Sequence, residues 1–289
     1  MPSCRLSMNL LIKNEVDIIA DNLKYHSQVG VDQFVIMDNG STDGTRELIE
    51  SLKEEYELHI IDRPVADYQQ SNWKTEMAKV AKKRGAHWVI TNDADEFWVA
   101  KSGSLKKELT ETGSIITCPR RNVLFSKEAF DSEEKYYHQD YVVKYPINYP
   151  KGIQQKEPHL SIMLGNIHGK VMVNTKGLLR VKGGNHRAWH LWGWLNQTTS
   201  SDVTVYHFPI RSKSHFLENV ENRKQLLASG VTKMGDHYKR WVKMLEKGEM
   251  EQELNRLVLS QSSAEVLLDL GVIEKDKQAI QTIAQALMS

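Results

Sequence analysis

Short apolar runs alternate with stretches of helical period through the first hundred residues, and this alternation constrains the fold more than any other feature of the chain. Leu6 to Ile12 reads as a first strand. A helix from Val16 to Val29 follows, with Ile19, Leu23 and His26 on its inner face. Phe34 to Met37 is the second strand, and Thr45 to Tyr56 the second helix, with Leu48, Ile49 and Leu52 apolar. Leu58 to Ile61 is the third strand. Tyr68 to Gly85 is a helix bearing Trp73, Met77, Val80 and Ala81, and Ala86 to Ile90 is the fourth strand. Strands alternating with helices predict a right-handed, mostly parallel sheet flanked by helices, an α/β fold.

Beyond Phe97 the pattern loosens. Ser114 to Pro119, Tyr141 to Tyr145, Lys170 to Asn174 and Val203 to Phe208 read as strands, and Asn148 to Gly152 as a loop. From about Ser214 the chain reads as helical, led by Phe216, Val220, Leu226 and Leu227. The expected division is a catalytic domain over 1–213 and a helical C-terminal subdomain over 214–289. An amphipathic helix in such an extension covers a core more often than a membrane.

Two acidic turns follow strands. Asp93-Ala94-Asp95-Glu96-Phe97-Trp98 comes after the fourth strand, and Asp38-Asn39-Gly40-Ser41-Thr42-Asp43-Gly44-Thr45 after the second. Carboxylates one residue apart at a strand's end project to one side of the pleat and can face one hard cation. Magnesium and manganese favour that arrangement, with water and phosphate oxygens completing the shell. In open parallel sheets ligands lie beyond the carboxyl ends of the strands, so Asp38 and the Asp93/Asp95 pair should share one rim.

Composition excludes several classes. Lys plus Arg is 38 against 37 Asp plus Glu, which gives no reason to expect a nucleic-acid partner. Cys4 and Cys118 are the only cysteines, too few for a disulfide framework or a thiolate zinc site. Leu10-Leu11-Ile12 is too short for a signal-peptide core, and no apolar run approaches a bilayer span. A cytoplasmic protein is expected, and peripheral attachment at the inner face of a membrane is compatible with this sequence.

The order Lys13-Asn14-Glu15, Gly30-Val31-Asp32, Asp38 to Thr45, then Asp93 to Phe97 resembles glycosyltransferase family 2. Within it the chain looks most like the bacterial branch whose metal motif reads Asp-Ala-Asp-Glu-Phe-Trp. The likeness is strong over about residues 5 to 100. It is patchier from Lys170 to Arg223, where His186 and His207-Phe208-Pro209-Ile210-Arg211-Ser212 resemble later motifs of that branch.

The resemblance implies a GT-A fold, a nucleotide-sugar donor (a UDP-sugar favoured), a Mn2+ or Mg2+ ion, and a carbohydrate or glycolipid acceptor. Asn14 and Glu15 would lie by the base and ribose, and Asp38, with Asn39 beside it, would bind the nucleobase. Asp93 would meet the ribose or the metal, and Asp95 would be the direct metal ligand. Lys74 could approach the phosphates, Arg211 could pair with the diphosphate, and His207 or His186 could complete the metal shell. Family 2 enzymes generally invert configuration, using an Asp or Glu as base. Glu128, Asp131, Asp140, Glu157 and Asp202 are candidates. Asp131 is preferred because Arg120 to Tyr137 reads as an irregular, acceptor-facing loop. Trp189, Trp192 and Trp194 could line an acceptor groove, touch a lipid-linked acceptor, or pack a core.

Two other classes stay open. A sugar nucleotidyltransferase usually carries a glycine-rich segment after its first strand, where this chain has Lys13-Asn14-Glu15. A noncatalytic nucleotide-binding protein with a decayed site would have less reason to keep both Asp93 and Asp95.

Overall fold

The computed structural model describes residues 4–64, 69–150, 152–153, 161–193, 195–230 and 234–289. Glu157 and Trp194 lie outside the described residues. The strands in chain order are β1 Leu6–Ile12, β2 Gln33–Asp38, β3 Leu58–Asp62, β4 Trp88–Asn92, β5 Glu96–Ala100, β6 Ile115–Cys118 and β7 Arg120–Leu124. They continue as β8 Tyr141–Val143, β9 Lys170–Asn174, β10 Leu178–Val181, β11 Ala188–His190, β12 Gln197–Thr199, β13 Val203–His207 and β14 Ile273–Lys275. The α-helices used below are α1 Ile19–Gln28, α2 Thr45–Ser51, α3 Gln70–Lys83, α4 Lys127–Asp131, α5 Lys213–Ala228, α6 Asp236–Lys247 and α7 Met250–Leu257, followed by α8 Gln261–Asp269 and α9 Lys277–Met288.

The chain forms two compact units. The first takes residues 1–120, 168–206 and 285–289, and the second takes 121–167 and 207–284.

The first unit is built on a seven-stranded sheet in the order β12-β6-β9-β4-β1-β2-β3. β1 runs parallel to both β2 and β4, and β2 runs parallel to β3. β9 is antiparallel to β4 and β6. Strands covered on both faces need apolar residues throughout. β2 accordingly buries all six of its residues, and β1 buries all but Leu11. α3 turns Trp73, Met77, Ala78 and Ala81 onto this sheet, where they meet Val35, Met37, Val89, Val171 and Val173.

In the second unit β8 pairs antiparallel with β7 and with β14. The segment read as an irregular loop from Arg120 to Tyr137 is instead strand β7, the short helix α4 and a 3-10 turn at Tyr136–His138. The C-terminal quarter is helical as expected, except that β14 interrupts it. Glu253 on α7 is fully buried, where Arg240, the indole Nε1 of Trp241 at 2.7 Å and Arg256 at 2.8 Å all donate to it. A buried carboxylate is costly unless its acceptor sites are filled, as they are here.

Candidate active site

β1 lies between β2 and β4, and all three point their carboxyl ends to the same rim. In the register, Ile12 of β1 is level with Asp38, and Leu10 is level with Asn92. Asp93, one residue past Asn92, therefore stands two strands from Asp38, roughly 10 Å across the sheet by ordinary strand spacing.

The Asp38 side of the rim is fixed by its own loops. Oδ1 of Asp38 accepts from the backbone N of Ser41 at 3.0 Å and its hydroxyl at 2.6 Å. Gly44, at φ 95°, caps α2 in a backbone region that side chains resist. The β1–α1 loop is laced to this turn by three backbone amides. Asn14 N donates to Ser41 Oγ, Glu15 N to Thr45 Oγ1, and Val16 N to Asp43 Oδ2. Asn14 itself is left-handed, at φ 56°, and its Oδ1 accepts from Thr42 N at 2.9 Å. Asn39 uses its amide to hold the carbonyl of Arg63 at 2.7 Å.

Asp93 and Asp95 do not continue a pleat. They occupy the tight connection between β4 and β5, closed by Glu96 N donating to Asp93 O at 3.1 Å. Helix α1 grips this turn from behind. Asn22 Nδ2 donates to the carbonyls of Ala94 at 2.8 Å and Glu96 at 3.1 Å. Asn92 Nδ2 donates to Glu96 O at 2.9 Å, and its Oδ1 accepts from the indole of Trp98 at 2.8 Å. Trp98 N donates to His26 Nε2, so the proton of His26 sits on Nδ1, which faces the carbonyl of Asn22 at 2.8 Å. Burial of that imidazole pulls its pKa down to about 3.

Beneath the turn lies a chain of buried charges. Lys74 Nζ reaches Asp93 Oδ1 at 3.0 Å, and Lys170 Nζ reaches Asp93 Oδ2 at 2.6 Å. Lys170 also meets Glu96 Oε1 at 2.9 Å, and Arg120 meets the same oxygen at 2.6 Å. Both lysines and Glu96 are fully buried. Burial pushes the Asp93 carboxyl up, but the Lys170 and Lys74 charges reverse this and hold it well below the usual carboxylate range. For Lys170, burial is outweighed by Asp93 and Glu96, which leave it above its ordinary value. For Lys74 burial wins, and its pKa falls. Oε2 of Glu96 is buried with no hydrogen-bond partner among the described residues. Asp95 and Glu96 offer ligand oxygens within 4.8 Å of each other.

The other expected residues are placed as follows. His186 keeps Nδ1 on the carbonyl of Gly169 at 2.9 Å, and burial, reinforced by the Lys170 and Arg120 charges, lowers its pKa to about 4. In the second unit, His207 Nδ1 lies 2.7 Å from Asn122 Oδ1. Arg211 is buried and bonded to His215 there. Asp131 ends α4, more than half exposed and paired with Lys127 at 2.7 Å. Asp202 accepts from the backbone and hydroxyl of Ser102. Sequence reasoning missed Asn22, Asn92, Lys170, Glu96 and Arg120. A signal existed for Lys74, which precedes Met77, Ala78 and Ala81 by three, four and seven residues and so shares their inner face.

No curated protein matches the chain. Among solved structures, S. aureus TarS 1–349 is 12% identical, covering 82% of this chain and 69% of that one at a TM-score of 0.40. GalNAc-T7 with UDP, GalNAc and Mn2+ is 10% identical, covering 73% and 45% at 0.44. Glucosyl-3-phosphoglycerate synthase from Mycobacterium tuberculosis in complex with Mg2+ and UDP is 14% identical, covering 68% and 69% at 0.34. The family model of Glycosyl transferase family 2 matches residues 11–170, over half the chain and including both acidic turns: the protein belongs to that family and is a glycosyltransferase of α/β, GT-A architecture with a C-terminal helical extension.

Proposed function

We propose that the protein transfers a sugar from a nucleoside diphosphate donor, a UDP-sugar favoured, to a hydroxyl of a carbohydrate or glycolipid acceptor, with inversion, in synthesis of a bacterial surface polysaccharide or glycolipid. The observation that carries this is the shared rim: Asp38 and the Asp93-Ala94-Asp95 turn end two parallel strands that flank β1. A nucleoside diphosphate laid across β1 has its base at Asp38, with Asn14, Glu15 and Asn39 around it, and its phosphates toward Asp95. In this reading residues 1–213 form the catalytic domain, 214–289 an appendage, and the protein works in the cytoplasm at the inner face of a membrane.

The donor set suits a hard divalent cation. Asp95 and Glu96 supply carboxylate oxygens, and the buried, unpartnered Glu96 Oε2 is the kind of atom an ion would satisfy. Bound there, Mn2+ or Mg2+ would neutralise the charge that develops on the departing diphosphate. Asp95 would hold the ion, and His186 and His207 are proposed as further ligands. Asp93, with both oxygens engaged by lysines, fixes the turn and the electrostatics around it. Lys74, and Arg211 through its planar fork, are proposed to face the phosphates. Asp131 is proposed as the base that takes the acceptor's proton.

The test is incubation of purified protein with a panel of nucleotide sugars, with manganese, magnesium or a chelator. Metal-dependent release of nucleoside diphosphate is the expected result. Pyrophosphate release would instead mark a nucleotidyltransferase, and silence across the panel a noncatalytic binder.

A further inference from the structure

The stretch between Glu157 and Asp202 contains no acidic residue, in a chain whose charges otherwise nearly balance. The hairpin β10–β11 and the turn after it sit inside this stretch. One face of the hairpin is committed to the protein, with Val181 buried and Leu178 and Ala188 packed on the core beside α3. The other face is exposed. A register shift between Leu178 and Arg180 turns Leu179 and Arg180 outward together. Arg180 pairs across the strands with Trp189 and lies 5.5 Å from its ring.

Large apolar side chains gather on this face. Leu179 is 53% exposed, Trp189 48%, Leu191 56%, Trp192 43% and Leu195 58%. They make up five of the eleven large exposed hydrophobics among the described residues, within seventeen positions of sequence. Single exposed leucines need no explanation, but a cluster with two tryptophans does. The cluster is also held in shape. Leu191 N donates to Gly177 O at 2.9 Å, and the ring of Trp192 comes so close to Gly177, at φ 103°, that a Cβ there would collide with it. Exposed Lys176, Arg180, Lys182 and Arg187 surround it with positive charge.

From this we infer that the β10–β11 face is a docking surface for an anionic phospholipid bilayer. Indole rings favour the headgroup boundary, leucines enter the acyl region just below, and lysine and arginine are drawn to the negative surface potential. The lack of any carboxylate in this stretch removes local repulsion from such a surface. The inference deepens the proposed placement at a membrane and needs no assumption about the transfer chemistry, so its failure would leave that chemistry standing.

The experiment is flotation of the full chain with vesicles of phosphatidylcholine alone, or of phosphatidylcholine mixed with phosphatidylglycerol. Binding to the mixed vesicles only, weakened by added salt, with a blue shift of tryptophan emission, is expected. The double variant Leu179→Ser/Leu191→Ser should lose at least about tenfold in bound fraction with an unchanged thermal midpoint. Arg180→Gln/Arg187→Gln should weaken binding and reduce its salt dependence. No binding to the mixed vesicles, or equal binding by both variants, would overturn the inference. So would concentration-dependent self-association through Leu179 and Leu191 without vesicle binding, which would mark a second copy as the occupant.

Discussion

Asp93 and Asp95 stand one residue apart, yet their surroundings give them separate work. Asp93 is tied to two buried ammonium groups, whereas Asp95 lies in the turn that α1 presents to the rim. Asp95→Asn should therefore abolish donor turnover and leave the thermal midpoint unchanged. A variant that turns over at the parent rate would remove Asp95 from the proposed metal site. Lys170→Met makes the opposite test. It takes one of two cations from fully buried Glu96 and from partly buried Asp93, and loss of one partner of such a cluster typically costs about 3–5 kcal/mol. Denaturant unfolding of that variant should show the loss, and parent-like stability would disprove the network's structural role. Lys170 did not announce this in the sequence. Lys170 heads a strand that is otherwise apolar, and only its pairing with a distant aspartate explains why a cation can be buried there.

Among the elements, legibility followed covering. β1 and β9 were readable residue for residue, and β2, β3 and α3 to within a few residues, because burial on two faces or one writes itself into the apolar pattern. Strands β5, β7 and β14 were not, since Glu96, Arg120 and Glu274 put charge where a strand signal is sought. In two of these cases the charge is satisfied by a partner far away in sequence, Lys170 for Glu96 and Lys144 for Glu274. The acidic turns were legible as turns. Their grip by Asn22 on α1 and Asn92 at the end of β4 was not, because a short polar side chain resembles a solvated one until its carbonyl partners are known, and His26 was legible only as an inner-face residue. The helices of the second unit carry a similar hidden feature in Glu253. Glu253→Leu leaves Arg240 and Arg256 without their carboxylate, and a loss of about 3–5 kcal/mol is expected by chemical denaturation. A shift under 1 kcal/mol, the size of an exposed pair, would contradict its burial.

At the scale of the whole molecule, pH dependence follows from the buried imidazoles. His26, near 3, and His186, near 4, stay neutral in the folded chain, while an unfolded histidine titrates near 6.5. As pH falls below about 6.5 the unfolded state takes up protons that the folded state refuses, so stability is lost on acidification toward about pH 4 and is level above pH 7. Asp93 acts in a lower window, because its depressed carboxyl favours the fold until pH drops below the unfolded value of about 3.8. Urea midpoints measured across this range should fall on the acid side, and His26→Gln should flatten the slope. A level profile in the parent protein would refute the assignment.

The lacing of the β1–α1 loop to the β2–α2 turn has one more consequence. Amides 14, 15 and 16 have acceptors across the gap, so the Asp38 end of the rim, where the nucleobase is proposed to lie, is shaped by the chain's own hydrogen bonds. A nucleotide would meet that end as a finished mould, losing little freedom of the chain on entry. If the proposed base-binding corner is correct, whatever rearrangement accompanies turnover must come from elsewhere.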